Sequence, residues 1–190
     1  MIFLRIFLFS GMVFHKAVWE YMKRGSLAEK KESRPFELTL KSLVKLFKSL
    51  VLLFLIVQTL FLTLFPILKE PFTLRVIGIA VYLLGLAIAV TGRLQLGRNW
   101  ANLEDYQVIP DQQLVKNGIY RFIRHPIYTG DILLILGLEL ALNSWLVLIV
   151  VPLVVVVVRQ TLAEEAILAK AFSGYEDYRR ATKMFIPFVV

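Results

Sequence analysis

Long apolar stretches constrain this chain more than any other feature of it. From Leu43 to Phe65 and from Thr73 to Leu96 charged residues are sparse. At about 1.5 Å per residue each run is long enough to cross the roughly 30 Å of hydrocarbon in a bilayer. A third run, Asp131 to Val158, would overshoot a bilayer as one helix, and it is interrupted at Leu142, Asn143, Ser144 and Trp145. Two shorter helices folded as a hairpin fit it better, with Pro152 placed to kink the second. Across 190 residues the hydrophobic share is 58%, more than a soluble core of this size requires. The reading is an integral membrane protein.

The remaining segments complete an all-α chain of about five transmembrane helices. Met1 to about Tyr21 is apolar but interrupted by Arg5, His15, Lys16 and Glu20. No small-residue cleavage site follows it, so it reads as a retained first membrane helix. His15 and Lys16 then sit near the cytoplasmic boundary, where side chains of this length reach lipid headgroups. Lys23 to about Ser42 is a polar connector along the cytoplasmic surface, and Pro66, Glu70 and Pro71 turn the chain before the third span. Within that span Gly78, Gly85 and Gly92 recur every seven residues. They line one side of the helix, where small residues let a neighbour approach closely. After Arg93 the stretch Gly97 to Asn117 is polar and leaves the membrane. The tail, Arg159 to Val190, reads as a cytoplasmic amphipathic helix. The whole is a single domain, residues 1–190. Its first part, 1–96, holds three membrane helices and the connector; its second, 97–190, holds a polar motif, the hairpin and the tail.

A net charge of +8 raises the question of nucleic acid, but the basic residues flank apolar segments. Lys23, Arg24, Lys30, Lys31, Arg34, Lys41, Lys45 and Lys48 fall between the first two. That is the positive-inside pattern, with anionic membrane lipids as the counter-charge. Nucleic acid is not the expected partner. Five spans with the N-terminus outside put the connector, the polar motif and the tail together on the cytoplasmic side, leaving only Lys69 and Arg75 in an outer loop. The chain has no cysteine, which excludes disulfides, thiolate metal sites and a cysteine nucleophile. With only His15 and His125 as histidines, no metal site is expected.

One polar cluster stands out against the apolar background: Leu114 to Gly130, LVKNGIYRFIRHPIYTG. It carries Arg121, Arg124, His125, Tyr120 and Tyr128 beside lipid-embedded helices, a placement that points to function. The hairpin that follows returns the chain to the same membrane face at RQTLAEEAILAKAF. The two segments should therefore meet, one supplying cations and aromatics and the other carboxylates. Such a pair suits a ligand carrying both charges on an organic body.

These elements resemble the isoprenylcysteine carboxyl methyltransferase family and the related phospholipid N-methyltransferases. The matching pieces are LGRNW, the LVKNGIYRFIRHPIYTG block, the hairpin, the EEAIL pair and the closing F-x-x-Y-x-x-Y-x-x-x-T that ends at Ile186 and Pro187. The resemblance implies methyl transfer from S-adenosylmethionine on the cytoplasmic side to a lipophilic small molecule or lipidated substrate arriving from the bilayer. It implies a cofactor pocket formed by Leu114, Val115, Tyr120, His125, Pro126, Ile127 and Tyr128, closed by Glu164, with Arg159 orienting the acceptor. The family places that arginine four residues before the first glutamate, whereas Arg159 precedes Glu164 by five and Gln160 holds the four-residue position. Five residues on a helix leave two side chains roughly 140° apart, which makes an acceptor other than a carboxylate more plausible.

Simpler roles compete at several positions. Arg121 and Arg124 can act as positive-inside anchors, Tyr120 and Tyr128 as interfacial aromatics, and His125 as the residue ahead of a helix-starting proline. Glu165 reads as solvating the tail, and Phe172, Tyr175 and Tyr178 as a packed helix face. Glu139 either lines an acceptor tunnel or lies near the outer surface. Two other functions stay open: an NADPH-dependent reductase, since sterol reductases share a version of the RHPxY block, and a non-catalytic membrane scaffold.

Overall fold

The computed structural model describes residues 1–23, 40–100 and 111–187. Most of the expected connector, Glu104, Asp105 and Pro110 of the polar stretch, and the last three residues of the tail lie outside them. The described residues form six α-helices: α1 (Ile2–Lys23), α2 (Leu40–Phe61), α3 (Phe72–Leu96), α4 (Pro126–Leu142), α5 (Val150–Ala171) and α6 (Tyr175–Ala181). Strand pairing among them is limited to two isolated bridges, Pro66 with Ser144 and Ile123 with Lys183. Three helical stretches are long and apolar enough to cross a membrane: Ile2–Lys23, Phe72–Asn99 and Trp145–Ala171. The apolar part of α2, Leu46–Phe61, is shorter, and the 17 residues of α4 reach only about 25 Å.

Apolar side chains cover the outside of these helices. Phe3 is 85% exposed, Phe61 75% and Val151 65%. Water would not tolerate so continuous an apolar surface, whereas hydrocarbon does.

Helices in lipid gain little from hydrophobic burial against one another, so close packing has to hold them. The contact between α3 and α4 shows how. Gly78, Gly85 and Gly92 face α4, while Gly130 and Gly137, also seven apart, face α3. The helices run antiparallel in one register, with Gly78 against Ala141, Tyr82 against Gly137, Gly85 against Leu134 and Ala89 against Gly130. A Cβ added at Gly78, Gly85, Gly130 or Gly137 would run into backbone atoms of the opposite helix. The expected glycine stripe thus meets a matching stripe on α4. Around the seam Leu8, Tyr82, Leu134, Leu138, Ala141 and Leu142 form the core where α1 joins α3 and α4, and the Tyr82 hydroxyl donates to the Leu8 carbonyl at 2.7 Å.

Two polar devices close the opposite end of the bundle. The Arg5 guanidinium donates to the carbonyls of Gln58, Thr59 and Leu62 and to Thr63 Oγ1, all at 2.8–2.9 Å. A residue of α1 thereby caps the C-terminus of α2, gathering the carbonyls of its last turn, of which Gln58 O also accepts from Leu62 N at 3.2 Å. At the end of α4, Asn143 adopts a left-handed conformation (φ 61°) that terminates the helix. Its side chain accepts from Leu68 N at 3.0 Å and donates to Leu68 O at 2.8 Å, tying the hairpin turn to the α2–α3 loop. Glu139 sits beside this turn, 2% exposed, accepting from Gln58 Nε2 at 2.7 Å.

The tail differs from its expected form. No new helix begins at Arg159: α5 runs unbroken from apolar Val150 to Ala171. From Arg159 onward the chain holds strong helix formers and neither glycine nor proline before Gly174. A short α6 follows. The polar end of α5 is therefore held rigidly by the hairpin.

Candidate active site

The site lies where the Leu114–Gly130 block meets the polar end of α5. Gly118 adopts φ 62°, a conformation open to glycine at little cost, and starts the 3-10 turn Gly118–Arg121. The Gln95 side chain at the end of α3 accepts from Ile119 N at 2.7 Å and fills the space where a Cβ of residue 118 would lie. Asn99 receives Gln113 N at 2.7 Å and Gln112 Nε2 at 3.0 Å. These bonds pin Leu114 and Val115 beneath the end of α3.

Tyr120 is buried and donates to the Gly92 carbonyl at 3.2 Å, while its own carbonyl accepts from the Tyr178 hydroxyl at 2.8 Å. Burial, reinforced by Tyr178 and Glu164 nearby, holds the Tyr120 phenol far above its ordinary pKa. Burial does the same for Tyr178. Both therefore stay neutral donors. The chain after α6 then runs alongside the block: Arg124 N donates to Lys183 O at 2.8 Å, His125 N to Met184 O at 3.1 Å, and Thr129 Oγ1 to Phe185 O at 3.1 Å.

Two glutamates from α5 enter this frame and do different things. Glu165 is buried, and its Oε1 accepts from Arg124 Nε at 2.7 Å and lies 3.1 Å from His125 Nε2. Arg124 donates further to the carbonyls of Arg179 and Thr182, so one guanidinium joins α5, α6 and the segment before α4. Glu164 is less enclosed; its Oε2 accepts from the Tyr128 hydroxyl at 3.0 Å and lies 3.9 Å from His125 Nδ1. The His125 and Tyr128 rings stack with centroids 5.7 Å apart. A cavity of about 260 Å³ opens against this group.

Leu114, Val115, Tyr120, His125, Ile127, Tyr128 and Glu164 all line that cavity. Pro126 does not. It is the first residue of α4 and is packed against Gly92, where its fixed φ suits the helix start. Arg159 is not brought to the cavity either: it is exposed on α5, because five residues of helix turn it away from Glu164.

The cavity wall also holds residues that the sequence reading assigned elsewhere. Phe172, Tyr175 and Tyr178 line it, and Glu165, expected to be solvated, is its buried anchor. Trp19, Trp100 and Asp131 line it as well. The adjacency of Arg124 and His125 pointed to a buried carboxylate partner and was the available clue to Glu165. For Trp19 and Asp131 the chain order carries no clue, since they meet only through the packing of α1 on the bundle.

The sequence profile of the phospholipid methyltransferase family matches residues 73–174, more than half of the chain. The chain belongs to this family. The matched segment runs from α3 to the residue before α6 and contains most of the cavity wall. Among its relatives is the protein-S-isoprenylcysteine O-methyltransferase of Tribolium castaneum, 31% identical over 128 residues, which are 66% of this chain and 46% of that one. A cobalt-zinc-cadmium resistance protein of Cupriavidus metallidurans is 34% identical over 110 residues, 55% of this chain and 47% of that one. The structure of the eukaryotic intramembrane Ras methyltransferase, isoprenylcysteine carboxyl methyltransferase, superposes with a TM-score of 0.65 at 25% identity, covering 98% of this chain and 68% of that one. This family member thus spans about half the length of the two curated relatives named here.

Proposed function

We propose that the chain is an S-adenosylmethionine-dependent methyltransferase acting on a lipophilic acceptor. One observation carries the reading: two segments separated by the apolar hairpin close a single cavity, joined by Arg124 and His125 on Glu165 and by Tyr128 on Glu164. Membership of a methyltransferase family, and relatives named for O-methyl transfer to isoprenylcysteine, support it. We also propose five spans within a single domain, counting α2 and α4, with the cavity on the cytoplasmic face. The lysines and arginines between the first two apolar runs support that orientation.

The donor set fits the cofactor. S-adenosylmethionine combines cationic groups with an aromatic base. Glu164 supplies a carboxylate, and Tyr128, Phe172 and Trp100 supply aromatic faces on the same wall. The Tyr175 hydroxyl is buried and has no hydrogen-bond partner among the described residues, although Tyr175 lines the cavity. An unpaired buried hydroxyl is costly unless a ligand completes it. Glu164 would hold the cationic part of the cofactor, and Leu114, Val115, Tyr120, His125, Ile127 and Tyr128 would enclose the rest.

When bound, the cofactor supplies a methyl group already activated by its sulfonium. The protein's task is then alignment and exclusion of water, worth about 7–11 kcal/mol for well-oriented reactants. Glu165 holds Arg124 and His125 in place, Tyr128 fixes the rotamer of Glu164, and the paired carbonyls at 183 and 184 keep the His125 backbone still. Calorimetry with S-adenosylmethionine, S-adenosylhomocysteine and NADPH tests the proposal. Saturable binding of the first two supports it; saturable binding of NADPH alone, as expected of a sterol-reductase-like enzyme, or of none, as expected of a scaffold, contradicts it.

A further inference from the structure

Two short segments run side by side outside the cavity, just before α4 enters the apolar hairpin. Lys183 N donates to Phe122 O at 3.1 Å and Arg124 N donates to Lys183 O at 2.8 Å, a parallel pairing of Ile123 with Lys183. Two residues further on, Phe185 O accepts from Thr129 Oγ1, in the first turn of α4, at 3.1 Å. The side chains that flank this pairing are exposed. Phe122 is 44% and Ile186 53% exposed, and Arg121, Arg180 and Lys183, their neighbours in the chain, are exposed as well. Among the described residues none of these three cations forms an ion pair; Arg121 lies over the Phe122 ring, 5.0 Å from its centroid. The exposed carboxylates of α6, Glu176 and Asp177, are in its first turn, away from Lys183, and Glu176 is met by Arg179 at 3.4 Å.

We infer that this paired ridge is a docking surface for anionic phospholipid headgroups, and that docking tightens cofactor binding in the cavity behind it; the second half rests on the methyltransferase reading above. The ridge stands where the chain passes from its polar end into an apolar helix. A ring and an alkyl side chain there enter the boundary of the acyl layer, while unpaired cations beside them meet lipid phosphates and gain most where the surface carries net negative charge. A zwitterionic surface serves the apolar half alone. The coupling follows from which segments the ridge joins. One precedes α4 and the other follows α6, so a headgroup layer touching both makes more contact while they are paired than when they part. Only such differential contact shifts an equilibrium. The same pairing holds Arg124 N, and His125 N donates to Met184 O at 3.1 Å within it. Whatever steadies the ridge therefore steadies the backbone that presents Arg124 and His125 to the cavity.

The test places the full chain in nanodiscs of phosphatidylcholine alone or of equal parts phosphatidylcholine and phosphatidylglycerol, and measures the thermal unfolding midpoint and the S-adenosylhomocysteine affinity in each. Phosphatidylglycerol should raise the midpoint and tighten binding by about fivefold or more, the lower end of couplings between sites, and added salt should erase both gains. Soluble glycerol phosphate added to phosphatidylcholine discs should reproduce neither. The double variant Arg121→Gln/Lys183→Gln should lose both gains while binding as the wild type does in phosphatidylcholine, since it leaves the paired backbone in place; Arg121→Lys/Lys183→Arg should keep them. Equal midpoints in the two lipids, or full gains in the glutamine variant, overturn the docking surface. A raised midpoint without tighter binding overturns the coupling. If the wild type binds no S-adenosylhomocysteine in either disc, the methyltransferase reading fails and the coupling with it, while the midpoint still decides the docking.

Discussion

Glu164 and Glu165 are neighbours in the chain with different tasks, and substitution should separate them. Glu165→Ala leaves Arg124 buried without its carboxylate, a loss that typically costs about 3–5 kcal/mol. We expect a marked fall in the thermal unfolding midpoint in detergent. Glu164→Ala and His125→Ala should leave that midpoint near wild type for Glu164 and modestly lowered for His125, while each weakens S-adenosylhomocysteine binding in calorimetry. The sequence reading set Glu164 at the pocket through the family resemblance and left Glu165 in solvent; it could not show that Glu165 is buried, because adjacent helical residues point about 100° from one another. Which of them faces inward depends on the rotation of α5, and that is set by Arg124 some forty positions upstream. His125, Tyr128 and Tyr120 were legible as a group because a polar block beside apolar helices needs a reason to be there. Pro126 belonged to the same block but serves the start of α4 instead.

At the scale of helices, what could be read followed from periodicity. Glycines every seven residues announced a close helix contact before its partner was known, and α4 supplies the complementary glycines. Gly137→Leu should therefore push α3 and α4 apart and prevent a stable fold, seen as loss of monodisperse protein in size-exclusion chromatography. Leu84→Ala, at a position 53% exposed on the outside of α3, should change stability little. The cap that Arg5 places on α2 could not be foreseen, since its acceptors lie more than fifty residues away. Arg5→Ala should speed amide hydrogen exchange at the C-terminal end of α2, where the carbonyls of Gln58, Thr59 and Leu62 would lose the guanidinium that joins them. The tail was misjudged for a local reason: a change from apolar to polar composition marks the edge of a membrane, but it does not end a helix where neither glycine nor proline stands at the change, as from Arg159 to Ala171.

For the whole molecule, the hairpin of α4 and α5 does more than anchor the chain. Its length fixes where two polar segments, remote in sequence, come back together, and Asn143 sets the turn that makes the return possible. The meeting of the two segments was legible from the order of apolar and polar stretches. The contribution of α1 through Trp19 was not, because helices in lipid associate by shape and leave little trace in composition. The central claim is that the two segments form one cofactor cavity, so their side chains should act on the cofactor as a coupled unit. A double-mutant cycle on S-adenosylhomocysteine affinity, using Tyr128→Phe and Glu164→Gln singly and together, measures this directly. Groups in contact typically couple by about 0.5–3 kcal/mol, and the account predicts a coupling in that range. Binding losses that simply add, or wild-type affinity in both single variants, would contradict it.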